Sequence, residues 1–230
     1  MTATWRALLV VYRRIDVRRP VRFVHELSDA EVADGVDAFR CFPALAARLS
    51  GGEVAVEAAR VEAGRPLDSL TPMGDGVAWP SPDDTRPELD ALAPPGVYDS
   101  VLVLWPQRRL DGGGAVPTGG WGLAIRATDW SNGATYATVA NAGPAAWAGP
   151  ERGEVWLHEW LHGVCAHYAG RGHAMPPGDA DGGGRCGYRC SPETGWCDYY
   201  ADLMTGRVPS GGQLTGIPAE AWRSGSILSG

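Results

Sequence analysis

The spacing of apolar residues along the chain predicts several strands with helices between them. An uninterrupted apolar run, Ser-Val-Leu-Val-Leu-Trp, is typical of a strand that is buried on both faces. Other stretches are rich in valine, leucine and isoleucine, or alternate large with small residues, as strands do. The predicted strands cover residues 7–17, 54–61, 100–105, 122–126 and 135–140.

A long helix is predicted over residues 29–49, where apolar residues recur at helical spacing. Ser28 followed by Glu31 forms a capping box, in which each residue satisfies a free backbone N–H of the first turn. Pro43 is expected to kink this helix or to end its regular part, because proline cannot donate the helical hydrogen bond.

Two segments between these elements lack regular periodicity. Residues 63–97 read as a proline-rich loop with a short helix near 88–92, and residues 111–121 form a glycine-rich linker. The glycines do not precede a helix with a phosphate-binding pattern, which argues against a nucleotide-binding loop. Strands mixed with helices in this order predict an α+β fold, a mixed twisted sheet with helices packed on it.

A second helix is predicted between Pro150, which suits a first turn, and the glycines Gly170 and Gly172, which end it. The residues expected to face the core recur at helical spacing and are Leu157, Leu161, Val164 and Tyr168.

This second helix contains the sequence His158-Glu159-Trp160-Leu161-His162. Residues four apart share one face of a helix, so both imidazoles can reach one Zn²⁺ ion. Glu159 lies next to the first ligand and can act on a water molecule instead of on the metal. The pattern therefore predicts His158 and His162 as zinc ligands and Glu159 as a catalytic general base.

With this motif the chain resembles the zincin metallopeptidases, and residues 202–206 (Asp-Leu-Met-Thr-Gly) resemble the Met-turn of their metzincin branch. The resemblance covers roughly residues 95–206 and implies a zincin-like sheet, with Met204 in a structural role beneath the ligands. It also implies that an edge strand near 134–140 binds an extended peptide substrate by strand addition. We accordingly expect one catalytic domain, 1–230, with an N-terminal strand–helix–strand part (1–95) and a zinc-binding part (96–230).

The chain departs from the metzincin pattern after the second histidine. Cys165 and Tyr168 stand where that branch has a glycine and a third histidine, so the third ligand must come from a later loop. His173 lies early for the return of the chain, whereas Asp179 and Asp181 have ample reach. Similarity to divergent zincins, which carry a ligand soon after a proline, favours Asp179 over the other two.

Other candidates lie in the same loop and near the proposed Met-turn. Cys186, Cys190 and Cys197 fit three unrelated thiols best, with a disulfide or a structural zinc site as alternatives and Cys186 as a minor third-ligand candidate. His167 points away from His162 on the helix and is not expected to share the metal. Zincins often use a tyrosine or a histidine as oxyanion donor, and the candidates here are Tyr188, Tyr199 and Tyr200.

Charge and hydropathy limit the partners. A net charge of −7 disfavours nucleic acid, which needs a basic face. No stretch of 18 apolar residues and no leader pattern is visible, so we expect no membrane partner and a cytoplasmic location. The sequence does not indicate an oligomeric state.

The expected function is zinc-dependent hydrolysis of a peptide or small amide. The alternatives are a zincin-fold enzyme acting on a small peptide-like biosynthetic intermediate and a non-catalytic zinc-binding protein.

Overall fold

A computed structural model describes residues 2–229, so that Met1 and Gly230 lie outside the described residues. The strands are β1 (Ala3–Val11), β2 (Arg14–Val17), β3 (Phe23–Glu26), β4 (Val54–Glu62), β5 (Thr71–Gly74), β6 (Val77–Trp79), β7 (Ser100–Trp105), β8 (Gly122–Ile125), β9 (Thr135–Ala140), β10 (Val208–Ser210) and β11 (Gln213–Thr215). The helices are α1 (Asp29–Leu49), α2 (Arg86–Leu92), α3 (Pro144–Trp147), α4 (Glu154–Gly170), α5 (Cys197–Leu203) and α6 (Ala219–Arg223).

The central element is a five-stranded mixed sheet in the order β4-β1-β7-β9-β8. The first four strands are parallel, and β8 joins the edge antiparallel to β9. Strands from both halves of the chain share this sheet. The mixed sheet with packed helices agrees with the α+β class that the sequence predicts.

Each face of the sheet is covered by its own hydrophobic layer. On one face α1, α4, α5 and α6 share a hydrophobic layer with alternate residues of β1 such as Trp5 and Leu9. On the other face α2 and the β5–β6 hairpin cover Leu8, Val10 and Val103. The alternation follows from the two-residue period of a strand. The segment His158–His162 lies in α4, which packs on β9 and β8 and also against α1.

Several predicted elements are confirmed in their bounds. Strands 100–105 and 135–140 and helix 29–49 agree with β7, β9 and α1, and both halves of the capping box at Ser28 and Glu31 are formed. Helix α1 continues through Pro43 to its end at Leu49.

Three expectations differ from the structure. The predicted strand 7–17 is divided, because the chain leaves the central sheet after Val11 and β2 pairs with β3 instead. Helix α4 begins at Glu154 and not near Pro150, because Gly153 has a left-handed φ of +101° in close contact with the backbone of α1. Strand β3 and the short hairpins β5–β6 and β10–β11 lie in segments without predicted strands.

The prediction of an edge strand near 134–140 is wrong. β9 lies inside the sheet, between β7 and β8, and every residue of it is buried. The edge on this side is β8, which follows the glycine-rich linker. Its antiparallel pairing with β9 is a contact that local residue patterns do not encode.

Among residues 2–229, no helix is long and apolar enough to cross a membrane.

Helix α4 approaches β9 closely at Gly163, where an added Cβ would lie 2.5 Å from Cβ of Thr135. We expect Gly163→Ala to lower the free energy of unfolding by about 1–3 kcal/mol, because overpacking outweighs the better helix propensity of alanine. Denaturant unfolding measures the change. Gly170→Ala on the same helix is the matched control, since its Cβ would meet nothing within 4 Å. Equal stability of the two variants would contradict close packing at Gly163.

Candidate metal centre and cleft

The two histidines of the motif project from α4 into one cleft. Their Nε2 atoms are 3.3 Å apart, and the rings are nearly perpendicular. The helical spacing of four residues therefore places the two Nε2 atoms close together on one side of the helix, as the sequence predicts.

Asp181 completes a group of three potential ligands. It lies in a 3₁₀ turn over Asp179–Gly182, with one carboxylate oxygen 3.5 Å from Nε2 of His158 and the other 3.6 Å from Nε2 of His162. A tetrahedral zinc ion with bonds of roughly 2.0–2.2 Å sets its ligand atoms about 3.3–3.5 Å apart. The two Nε2 atoms have this spacing, and one ligand atom from each of His158, His162 and Asp181 lies within 4.8 Å of the other two, so the three residues could hold a metal ion.

The remaining ring nitrogens are held by other side chains. Nδ1 of His158 is 2.8 Å from the hydroxyl of Tyr200, and Nδ1 of His162 is hydrogen-bonded to the carboxylate of Asp179. If Nδ1–H donates in each pair, the lone pair of each ring is on Nε2. Such partners orient histidine ligands and fix the tautomer that binds metal.

Asp179 itself lies outside the group of potential ligands. Its side chain meets His162 on the far side of the ring from Nε2, and its other oxygen pairs with Arg126. The backbone of Asp179 has a left-handed φ of +40°, and Tyr199 donates to its carbonyl. These contacts direct Asp179 behind the ring, whereas Asp181, two residues later, faces the cleft.

The structure likewise keeps the other histidines away from the group. The ring of His173 packs near Tyr168, with ring centroids 6.0 Å apart. The ring of His167 packs against Trp5 and Tyr168.

Burial and neighbouring charges shift the pKa values of the two motif histidines in opposite directions. Burial and the neighbouring His162 lower the pKa of His158 to about 4, against the opposing effect of Asp181 and Asp179. Burial also lowers the pKa of His162, but the hydrogen bond and charge of Asp179 outweigh it and raise this pKa overall. His158 is thus neutral near pH 7, and a cation at His162 would compete with a proton.

Glu159 is buried beside the two histidines, at the wall formed by β8. Burial raises the pKa of its carboxyl to about 7, although positive charge on His162 opposes this. An added Cβ at Gly122 would lie 2.1 Å from a carboxylate oxygen of Glu159, so a larger residue there would displace this carboxylate from its position. The sequence indicates Glu159 but has no visible signal for the role of Gly122.

The three tyrosine candidates have different surroundings. Tyr200 lines the cleft, Tyr199 donates to Asp179, and the hydroxyl of Tyr188 donates to Asp202 at 2.7 Å. Of the three, Tyr200 alone contacts a motif histidine. Met204 is fully buried in the core that also contains α4.

The five cysteines, all within the described range, are free thiols. Cys186 is half-buried, Cys190 is exposed and Cys197 is buried, so the three loop cysteines do not share one environment.

The histidines open into a cleft of about 630 Å³ between β8 and α4. This volume is in the range of small-molecule and short-peptide sites. Tyr200, a predicted oxyanion-donor candidate, lines this cleft. Other residues of the lining have no functional prediction from the sequence, among them Trp121, Gly122, Arg126, Glu154 and Trp196. No sequence motif connects these residues. They lie in or beside the edge strand β8, at the start of α4 or just before α5.

Comparison with known proteins adds no identification, since no protein-family model matches the chain and no curated protein has a significantly similar sequence.

Proposed function

We propose that this protein is a zinc-dependent hydrolase that cleaves a peptide or amide bond. The observation that supports it best is the placement of Glu159 beside two Nε2 atoms that are 3.3 Å apart, each with an oxygen of the Asp181 carboxylate at 3.5 or 3.6 Å. Two imidazoles and a carboxylate are ligand groups that zinc takes. A purely structural site has no need of a buried acid next to its ligands.

His158, His162 and Asp181 would hold the metal through Nε2, Nε2 and a carboxylate oxygen. Asp181 replaces Asp179 in this proposal because only Asp181 faces both Nε2 atoms. Three protein ligands leave one position of a tetrahedral site open, as in catalytic zinc sites. When bound, zinc polarises a carbonyl and lowers the pKa of coordinated water toward neutrality.

Glu159 would act as the general base and then as the general acid. Its carboxylate accepts a proton from the attacking water, while the hydroxyl group of that water bonds to the acyl carbon. When the C–N bond breaks, Glu159 delivers the proton to the leaving nitrogen, so that the products are a carboxylic acid and an amine. Its raised pKa, about 7, suits an acid and base that works near neutral pH.

The edge strand β8 would position the substrate. It lines the cleft through Gly122, Leu123 and Ala124, and it pairs with β9 on one side only. Its outer backbone groups can therefore bind an extended peptide by strand addition. In this proposal β8, and not residues 134–140, is the edge strand that binds the substrate. Membership of the zincins, with a Met-turn at Met204, is also part of the proposal.

A small peptide-like molecule is the second candidate substrate, because a cleft of about 630 Å³ encloses only a short segment. The same residues would act in both cases.

Metal analysis of the purified protein tests the proposal. We expect about one zinc per chain, lost in His158→Ala and His162→Ala because each removes a ligand. His173→Ala is the matched control, since its ring lies outside the ligand group, and it should retain zinc. Absence of any transition metal in the wild type, or full zinc retention after loss of both ligands, would refute the site. Two zinc ions per chain would implicate Cys186, Cys190 and Cys197 in a second site.

A further inference from the structure

Arg126 is the cationic side chain of the cleft, and it lies at the end next to His162. It follows β8 directly, and its guanidinium pairs with one oxygen of Asp179 while the other oxygen bonds His162. Its side chain is 62% exposed. Within residues 2–229, Arg126 has no other hydrogen bond or ion pair.

The contact with Asp179 orients Arg126 without using all its donors. A guanidinium carries five N–H groups in a planar fork, and the geometry of this fork matches a carboxylate. With one edge held by Asp179, the remaining donors are available to a group that enters the cleft. An arginine held in place also loses less conformational entropy when a ligand binds.

The opposite end of the cleft carries negative charge. Glu154 begins α4, eight residues before His162, which corresponds to about 12 Å along the helix axis. One oxygen of Glu154 accepts the backbone N–H of Trp196 at 2.7 Å, and both residues line the cleft. An anionic substrate group is repelled at this end and attracted at the Arg126 end, so the charges give the cleft a direction.

From these contacts, and resting on the proposed hydrolase function, we propose that Arg126 binds a carboxylate of the substrate on the leaving side of the cleaved bond, since the terminal carboxylate of a peptide belongs to the fragment that leaves as the amine. Two hydrogen bonds and two planar groups separate the guanidinium from Nε2 of His162, which places them within roughly 10 Å. An extended chain advances roughly 3.3 Å per residue, so the carboxylate lies within about three residues of the cleaved bond. It belongs either to the chain terminus or to an aspartate or glutamate side chain.

Cleavage of paired peptide libraries distinguishes these sources. One hexapeptide library has free C-terminal acids, a second has C-terminal amides, and both contain Asp, Glu, Asn and Gln at the last two positions. Cleavage sites and rates are read by mass spectrometry with zinc-loaded protein. We expect the wild type to cleave carboxylate-bearing peptides roughly 10- to 100-fold faster than their neutral counterparts, as a charged hydrogen-bonded pair provides.

In Arg126→Gln this preference should fall to about onefold, because glutamine has no charge and no guanidinium fork. Arg223→Gln is the matched control, since Arg223 is also exposed and paired with an acid, Glu53, outside the cleft, and it should keep the preference. If the free acids are cleaved faster than the amides and Asp or Glu has no effect in the amide library, Arg126 binds the chain terminus. If amides with Asp or Glu are cleaved faster than amides with Asn or Gln, Arg126 binds the acidic side chain.

Each contrary outcome has its own meaning. If the wild type cleaves neutral and carboxylate peptides at equal rates, the role of Arg126 is refuted while the hydrolase proposal stands. The same holds if Arg126→Gln slows both kinds equally, since that is the effect of a residue that only positions Asp179. If the wild type cleaves neither library, the proposed peptidase function fails and this inference fails with it.

Discussion

Glu159→Gln is expected to lower turnover by roughly 10²–10⁴-fold while the fold and the zinc content stay intact, because the variant loses the proton acceptor and keeps every proposed ligand. Glutamine has nearly the same shape, so it can occupy the space that Gly122 leaves beside α4. The measurement is the rate of hydrolysis at saturating substrate, together with zinc content and thermal unfolding.

Glu151→Gln is the control for this experiment. Glu151 precedes the same helix and pairs with Arg48 at 2.7 Å, but it does not line the cleft. We expect it to retain wild-type turnover. Near-wild-type turnover in Glu159→Gln would show that the proton is transferred by another group and would remove the central role of Glu159.

Asp181→Ala is expected to weaken zinc binding more than any substitution of Asp179, because the carboxylate of Asp181 faces both Nε2 atoms and that of Asp179 faces only Nδ1 of His162. Loss of a partner that orients a ligand costs roughly 10–100-fold in metal affinity, which is the effect expected for Asp179→Asn. Loss of the ligand itself should exceed this range. Competition with a chelator of known zinc affinity measures both values.

Asp198→Ala serves as the control, since Asp198 is exposed on α5, close in sequence to the site but outside the ligand group. We expect it to bind zinc like the wild type. The reverse order, with Asp179→Asn weaker in zinc binding than Asp181→Ala, would show that Asp179 binds the metal, as the sequence alone predicts.

The choice between Asp179 and Asp181 illustrates the limit of chain-length arguments. Both residues follow the second proline of the loop closely and both can reach the histidines, so spacing does not separate them. The difference arises from side-chain direction in a 3₁₀ turn and from Arg126, which comes from the end of a distant strand and pairs with Asp179. Neither contact has a signature in the local sequence.

The edge strand is a second case of the same kind. The run 135–140, in which Tyr136 alternates with small residues, identifies a strand, but the neighbours of a strand depend on where the rest of the chain passes. Here the glycine-rich linker brings β8 around to the outside of β9.

Local sequence is enough for the elements whose stabilising interactions lie within a few residues. Three such features appear in the structure as predicted, and each involves only a few neighbouring residues. They are the capping box at Ser28, the apolar strand at 100–105 and the four-residue spacing of His158 and His162. The third ligand candidate, the room that Gly122 leaves for Glu159 and the position of Arg126 depend on segments that lie far apart in the chain. They exist only once the sheet, α4 and the loop after it have packed together, because packing sets the direction of each side chain.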